Sequence, residues 1–119
     1  MRPCVLLLLY LDSHFWMARA GLYPLHEARA NQTLEQLPST TTYPNNGESG
    51  KFGWGIVSSS SWVSGFWPGV LLKLYNRSLA AGVPSEEAAR WLDKGAAFAD
   101  GLADERFNTQ THDVGFIMC

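Results

Sequence analysis

The stretch "THDVGF" brings a carboxylate, an imidazole and an aromatic ring together at the presumed start of a helix. In one interpretation Thr111 or Asp113 caps that helix and His112 is a surface residue, because Asp is a preferred N-cap. In the other, Asp113 is a carboxylate in a cleft, and His112 tunes its ionisation and contacts a substrate. Nearby aromatic residues would partly desolvate the site, as acid/base chemistry requires. This segment is therefore the first candidate site.

The stretch "SWVSGFWPG" concentrates bulky and permissive residues in nine positions. Pro68 in the first turn of a helix costs no hydrogen bond, so it fixes the adjacent Trp67 at the helix entrance. Both aromatic rings of "GFWPG" could be core residues. Alternatively, one ring packs inward and the other lines a cleft on which a sugar ring stacks. Gly65 and Gly69 would then leave space for a ligand or a neighbouring helix.

Composition excludes several classes of function. The 119 residues carry 9 basic and 11 acidic side chains without a Lys/Arg cluster, so no nucleic-acid partner is expected. Cys4 and Cys119 lie at the two ends, and neither a Cys/His cluster nor an HxxxH pair occurs, so no metal site is expected. Glycine-rich phosphate loops and GxSxG are absent as well, and we expect no cofactor.

The N-terminal residues 1–20 are considered apart from residues 21–119. Arg2, the short apolar run after it and "ARA" fit a signal peptide in part; the alternative is a disordered N-terminal segment or one packed on the domain. The run is too short for a membrane span of about 20 residues, so no membrane partner is expected. Sequons at Asn31 and Asn76 permit secretion, and otherwise the protein is cytoplasmic.

Helical periodicity in residues 21–119 predicts an all-α fold built from successive helix hairpins. Between the first two helices, the Ser-, Thr-, Asn- and Gly-rich segment 39–61 is predicted to be a long loop whose aromatic residues pack on the domain. No strand alternation is evident there. The predicted helices cover residues 22–37, residues 64–77, a segment from Pro84 to near Asp104, and the start of a fourth in "HDVGFIMC".

The ordered pair of motifs resembles the N-terminal part of glycoside hydrolase family 88, the unsaturated glucuronyl hydrolases. In that family a W-x-x-G-F-W-P-G helix and an H-D-[LIV]-G-F helix start occur in this order and at about this separation. The resemblance covers roughly residues 43–119. It implies a partial (α/α)6 barrel of the six-hairpin glycosidase type, of which this chain supplies about the first two hairpins. We accordingly expect a fragment that is inactive and poorly stable by itself.

The resemblance also implies a reaction and a substrate. Family members remove 4,5-unsaturated glucuronic acid from the non-reducing end of oligosaccharides that lyases generate. They protonate C4 of the vinyl ether and add water at C5, after which the hemiketal opens. An unsaturated rhamnogalacturonyl hydrolase shares this chemistry and is one alternative. The other is a non-catalytic carbohydrate-binding or structural remnant in which Trp54, Trp62 and Trp67 stack on sugars.

Carried over by motif, Asp113 matches the first of two catalytic aspartates of this glycosidase family. His112 matches the histidine beside it, and Trp67 matches the aromatic residue at the sugar subsite. The second aspartate belongs to a later hairpin, beyond Cys119. The resemblance thus predicts a catalytic Asp113, substrate binding by Trp67 and His112, an unsaturated uronic-acid oligosaccharide as the ligand, and no metal.

Overall fold

The computed structural model describes residues 23–47 and 53–118. The signal-peptide hypothesis for residues 1–20 falls outside this part of the chain. In chain order the elements are helix α1 (Tyr23–Gln36), strands β1 (Thr42–Gly47) and β2 (Trp54–Ser58), helices α2 (Phe66–Ala80) and α3 (Ser85–Asp100), a 3₁₀ helix (Ala103–Phe107) and helix α4 (Val114–Met118).

Helices α2 and α3 form an antiparallel hairpin with a short connection. Helix α2 ends in a Schellman motif, in which the Val83 amide donates to the Ser78 carbonyl at 3.0 Å and the Gly82 amide to Leu79 at 3.0 Å. Gly82 has φ +79°, a conformation that glycine adopts without strain. Glu86 and Glu87 occupy the first turn of α3, where their negative charges interact favourably with the positive end of the helix dipole.

The segment predicted as a long loop contains a β-hairpin, so the prediction of a chain without strands is wrong. Strands β1 and β2 pair antiparallel, with Tyr43 opposite Val57 and an irregularity in register between Pro44 and Gly47. Two hydrogen bonds from Trp54 join the hairpin to α1. The indole Nε1 donates to the Thr33 hydroxyl at 2.9 Å, and the backbone amide donates to the Gln36 side-chain oxygen at 3.2 Å. The fold is therefore mostly helical with a small sheet.

The core lies where α2, α3 and the hairpin meet. Trp91 and Tyr43 are completely buried, and the Tyr43 hydroxyl donates to the carbonyl oxygen of Phe98 at 2.9 Å. Gly101 permits this packing, because a Cβ there would collide with the carbonyl oxygen of Thr40 and the Tyr43 hydroxyl. No helix in the described part of the chain has the length and apolar character needed to cross a bilayer.

Candidate functional site

The two sequence motifs meet at Gly65, directly before α2. A Cβ at this position would lie under 3.0 Å from the backbone carbonyl oxygens of Phe116 and Ile117 in α4. Only glycine therefore allows the start of α2 to approach the backbone of α4 so closely. Ile117 fills the space beneath this contact and is 2% exposed. The segment "SGFWPG" thus packs directly on the helix that follows "THD".

Asp113 lies immediately before α4 with its carboxylate turned towards its own segment. Its Oδ2 accepts a hydrogen bond from the Thr111 hydroxyl at 3.3 Å, and its Oδ1 lies 3.2 Å from Nε2 of His112. Of the two cap residues considered from the sequence, Thr111 accepts a hydrogen bond from the Asp113 amide at 3.1 Å through its hydroxyl. The Asp113 carboxylate accepts no bond from an amide of α4 among the described residues. The side chain is 32% exposed and that of His112 is 94% exposed. Both can therefore be reached from solvent.

Three aromatic side chains form an exposed cluster, and one of them, Phe116, lies three residues after Asp113. Trp62 contacts Phe66 and Phe116 edge-to-face, with ring centroids 6.1 and 6.5 Å away. Each of the three rings is more than half exposed. The amide of Phe116 donates to the Asp113 carbonyl at 2.9 Å, so the cluster shares the first turn of α4 with the carboxylate. We call Trp62, Phe66 and Phe116 the aromatic cluster.

Trp67, the sugar-binding residue expected from the sequence, lies in the core. It is 7% exposed and packs edge-to-face against Phe98, with ring centroids 6.2 Å apart. Its indole Nε1 is buried and has no hydrogen-bond partner among the described residues. Of the two tryptophans in the motif, Trp62 is the one with an accessible ring. The sequence alone does not predict which ring faces the core, because packing against α3 decides this.

A groove of about 860 Å³ runs between α1 and α2, with the hairpin at one side. Trp67 and Leu74 contribute to its lining, and Phe66 and Phe116 of the aromatic cluster border it. Asp113 and His112 are not among the lining residues. The structure therefore brings the two motifs together at Gly65, but it does not place Trp67 and Asp113 in one groove.

Glu105 is a buried carboxylate near the site that the sequence analysis did not identify. Glu105 is 9% exposed; it accepts hydrogen bonds from the Ser59 hydroxyl at 2.6 Å and from the Asn108 side-chain amide at 2.8 Å. It thereby joins the end of β2 to the segment that leads to Asp113. Burial, and secondarily the charge of Glu105, raises the pKa of Tyr43 to about 12. No signal in the sequence connects residues so far apart.

The described residues contain no group of three His, Cys, Asp or Glu side chains that could hold a metal ion. Comparison with known proteins finds no matching family model, no matching curated protein and no matching solved structure.

Proposed function

We propose that this chain contributes part of the active site of a glycoside hydrolase that removes 4,5-unsaturated glucuronic acid from oligosaccharides. The observation that carries the proposal is the junction at Gly65, which joins an exposed aromatic cluster to an accessible Asp–His pair. Flat aromatic surfaces beside a carboxylate are suited to a sugar ring whose substituents must gain and lose protons. The partial (α/α)6 barrel belongs to the same proposal.

In this proposal Asp113 is one carboxylate of a catalytic pair. The reaction adds a proton at C4 and water at C5 of the vinyl ether, and the hemiketal then opens to release the leaving alcohol. Asp113 and the second aspartate, on a later hairpin, together exchange protons with the attacking water and the sugar. His112, which lies 3.2 Å from Asp113 and is exposed, binds the substrate from the solvent side.

The sugar platform in this proposal is Trp62 rather than Trp67. Trp62 is 53% exposed, and edge-to-face contacts with Phe66 and Phe116 hold its ring in place. A ring fixed in this way loses little conformational entropy on binding, which favours stacking. Trp67 supports the platform from the core.

The test is turnover of an unsaturated glucuronyl disaccharide by an extended chain that carries both aspartates. The readout is the loss of ultraviolet absorbance of the conjugated C4=C5 bond. We expect Asp113→Asn to lower kcat by about 10²–10⁴-fold, because an amide cannot exchange the proton. Asp93→Asn is the matched control, since Asp93 is an exposed carboxylate on α3. Equal turnover by both variants would refute the catalytic role.

A non-catalytic sugar-binding protein is the second candidate, and the exposure of Trp54 and Trp62 favours it. It predicts that saturated and unsaturated disaccharides bind equally and that Asp113→Asn leaves binding unchanged. Including an unsaturated rhamnogalacturonyl disaccharide in the same assay separates the two hydrolase alternatives by their relative kcat/KM.

A further inference from the structure

The groove between α1 and α2 has a charge pattern that the proposed hydrolase site does not use. Three exposed Lys and Arg side chains and the exposed His26 line it, and no acidic side chain does so in the described part of the chain. His26 and Arg29 come from α1, whereas Lys73 and Arg77 come from α2. Cationic groups therefore flank the groove on both sides, in a chain whose net charge is −2.

The floor of the groove is apolar. Ala30, Trp67 and Leu74 are buried there, and Val70 adds a half-exposed aliphatic surface. The Thr33 hydroxyl already donates to the carbonyl oxygen of Arg29 and accepts from the Trp54 indole. The floor is therefore mainly apolar and suited to aliphatic side chains. The polar groups beside it are the side chain of Asn45 and the Trp67 indole Nε1, which has no hydrogen-bond partner among the described residues.

Both walls present helical stripes. The α1 residues at positions 26, 29, 30 and 33 follow the spacing of a single helix face, as do the α2 residues at positions 66, 70, 73, 74 and 77. Trp67 and Gly69 widen the α2 surface beside this stripe. The α2 stripe spans about 16 Å at 1.5 Å per residue, which is about three helical turns. A groove of 860 Å³ accommodates much of a helix about 10 Å wide and of that length.

We propose that this groove binds an amphipathic helix whose apolar stripe is flanked by Asp and Glu. The apolar side chains at i, i+3, i+4 and i+7 enter the floor, in the helix-in-groove mode of recognition. The acidic flanks face Arg29 on one wall, and Lys73 and Arg77 on the other. The apolar floor favours this helical partner over an anionic oligosaccharide. The proposal does not require the hydrolase function, but the two sites share Phe66 and Phe116, which also line the groove.

The probe is a fluorescein-labelled designed peptide of about 14 residues, with Leu at the stripe positions and Glu on both flanks. A matched peptide carries Lys in place of each Glu. Fluorescence anisotropy with the full 119-residue chain gives both affinities. We expect the acidic peptide to bind at least about tenfold more tightly, and to lose this advantage as salt rises towards 1 M, where the Debye length falls to about 3 Å.

A second experiment reverses the charges on the α2 wall of the groove. The double variant Lys73→Glu/Arg77→Glu should weaken binding of the acidic peptide by about tenfold and should strengthen binding of the basic one. Lys94→Glu is the matched control, because Lys94 is exposed on α3 and does not line the groove. All altered side chains are exposed, and circular dichroism verifies that each variant is folded.

Several results would overturn the proposal. Equal affinities for the two peptides, no binding of either peptide, or an unchanged affinity in the double variant would each refute acidic-helix recognition. Displacement of the peptide by an oligogalacturonate that loses its own affinity in the double variant would assign the groove to a carbohydrate. Self-association in sedimentation velocity that the double variant abolishes would assign it to a second copy of the chain.

Discussion

Replacing Gly65 by alanine is expected to weaken the contact that joins the two motifs. The added Cβ would lie under 3.0 Å from the carbonyl oxygens of Phe116 and Ile117, and backbone atoms cannot move aside cheaply. If the backbone absorbs the overlap, the cost is about 1–3 kcal/mol of unfolding free energy, as for other overpacked sites. If α4 moves away instead, the burial of Ile117 is lost, which costs about 1.5–3 kcal/mol.

Urea unfolding followed by tryptophan fluorescence measures this loss of unfolding free energy. In a thermal melt, each kcal/mol lost lowers Tm by about 4–8 °C for a domain of this size. Gly65 has φ −65° and ψ −21°, so alanine suits its backbone and the effect is purely steric. Gly69→Ala is the control: nothing lies within 4 Å of its Cβ, and a helical alanine adds about 0.5–1 kcal/mol. Equal stability of the Gly65→Ala variant and the wild type would refute the close approach of α2 and α4.

Three further predictions follow from the same contacts. The pKa of Tyr43 is raised to about 12 in the folded state, from an ordinary value of 10.0. Its contribution to stability is therefore complete below pH 10 and falls as pH rises from about 10 to 12, and Tyr43→Phe should flatten that slope in pH-dependent urea melts. Trp67→Ala should cost about 3–5 kcal/mol of unfolding free energy. Trp62→Ala should weaken disaccharide binding in calorimetry with a smaller loss of stability, about 1–2 kcal/mol, from its two edge-to-face contacts. Glu27→Ala should cost about 1–3 kcal/mol in the same melts, because Glu27 accepts hydrogen bonds from both Arg90 and the Trp91 indole, and full retention of stability would refute this tie between α1 and α3.

The helices could be predicted because their signals are local. Pro68 marks the first turn of α2, and Pro84 with Glu86 and Glu87 marks the start of α3. The third helix was expected to end near Asp104 but ends at Asp100, where the chain turns into a 3₁₀ helix. The structure thus confirms a mostly helical fold.

The hairpin could not be predicted from the segment that forms it. Tyr43 is the only fully buried residue of its strand, and the irregularity between Pro44 and Gly47 breaks the two-residue alternation. Its anchors, Gln36 and Thr33, lie on α1, far from Trp54 in the chain. Strands held by non-local bonds leave little pattern in sequence.

In the candidate site, too, some features could be predicted from the sequence and others could not. The proximity of His112 and Asp113 follows from their adjacency in the sequence. The exposure of Trp62 and the burial of Trp67 do not, since both depend on contacts with α3 and α4. The cationic groove also combines residues of two helices that are separated by the hairpin.

The most direct test of the proposed sugar site is a titration of the ¹⁵N-labelled chain with an unsaturated glucuronyl disaccharide, followed by NMR. We expect shifts of the Trp62 indole N–H and of the His112 and Asp113 amides, and smaller shifts with the saturated disaccharide. Trp62→Ala should reduce the affinity, whereas the exposed control substitution Leu92→Ala on α3 should not. Shifts confined to the α1 wall of the groove and to Lys73 and Arg77, or none at all, would contradict the assignment of the sugar site to the junction at Gly65.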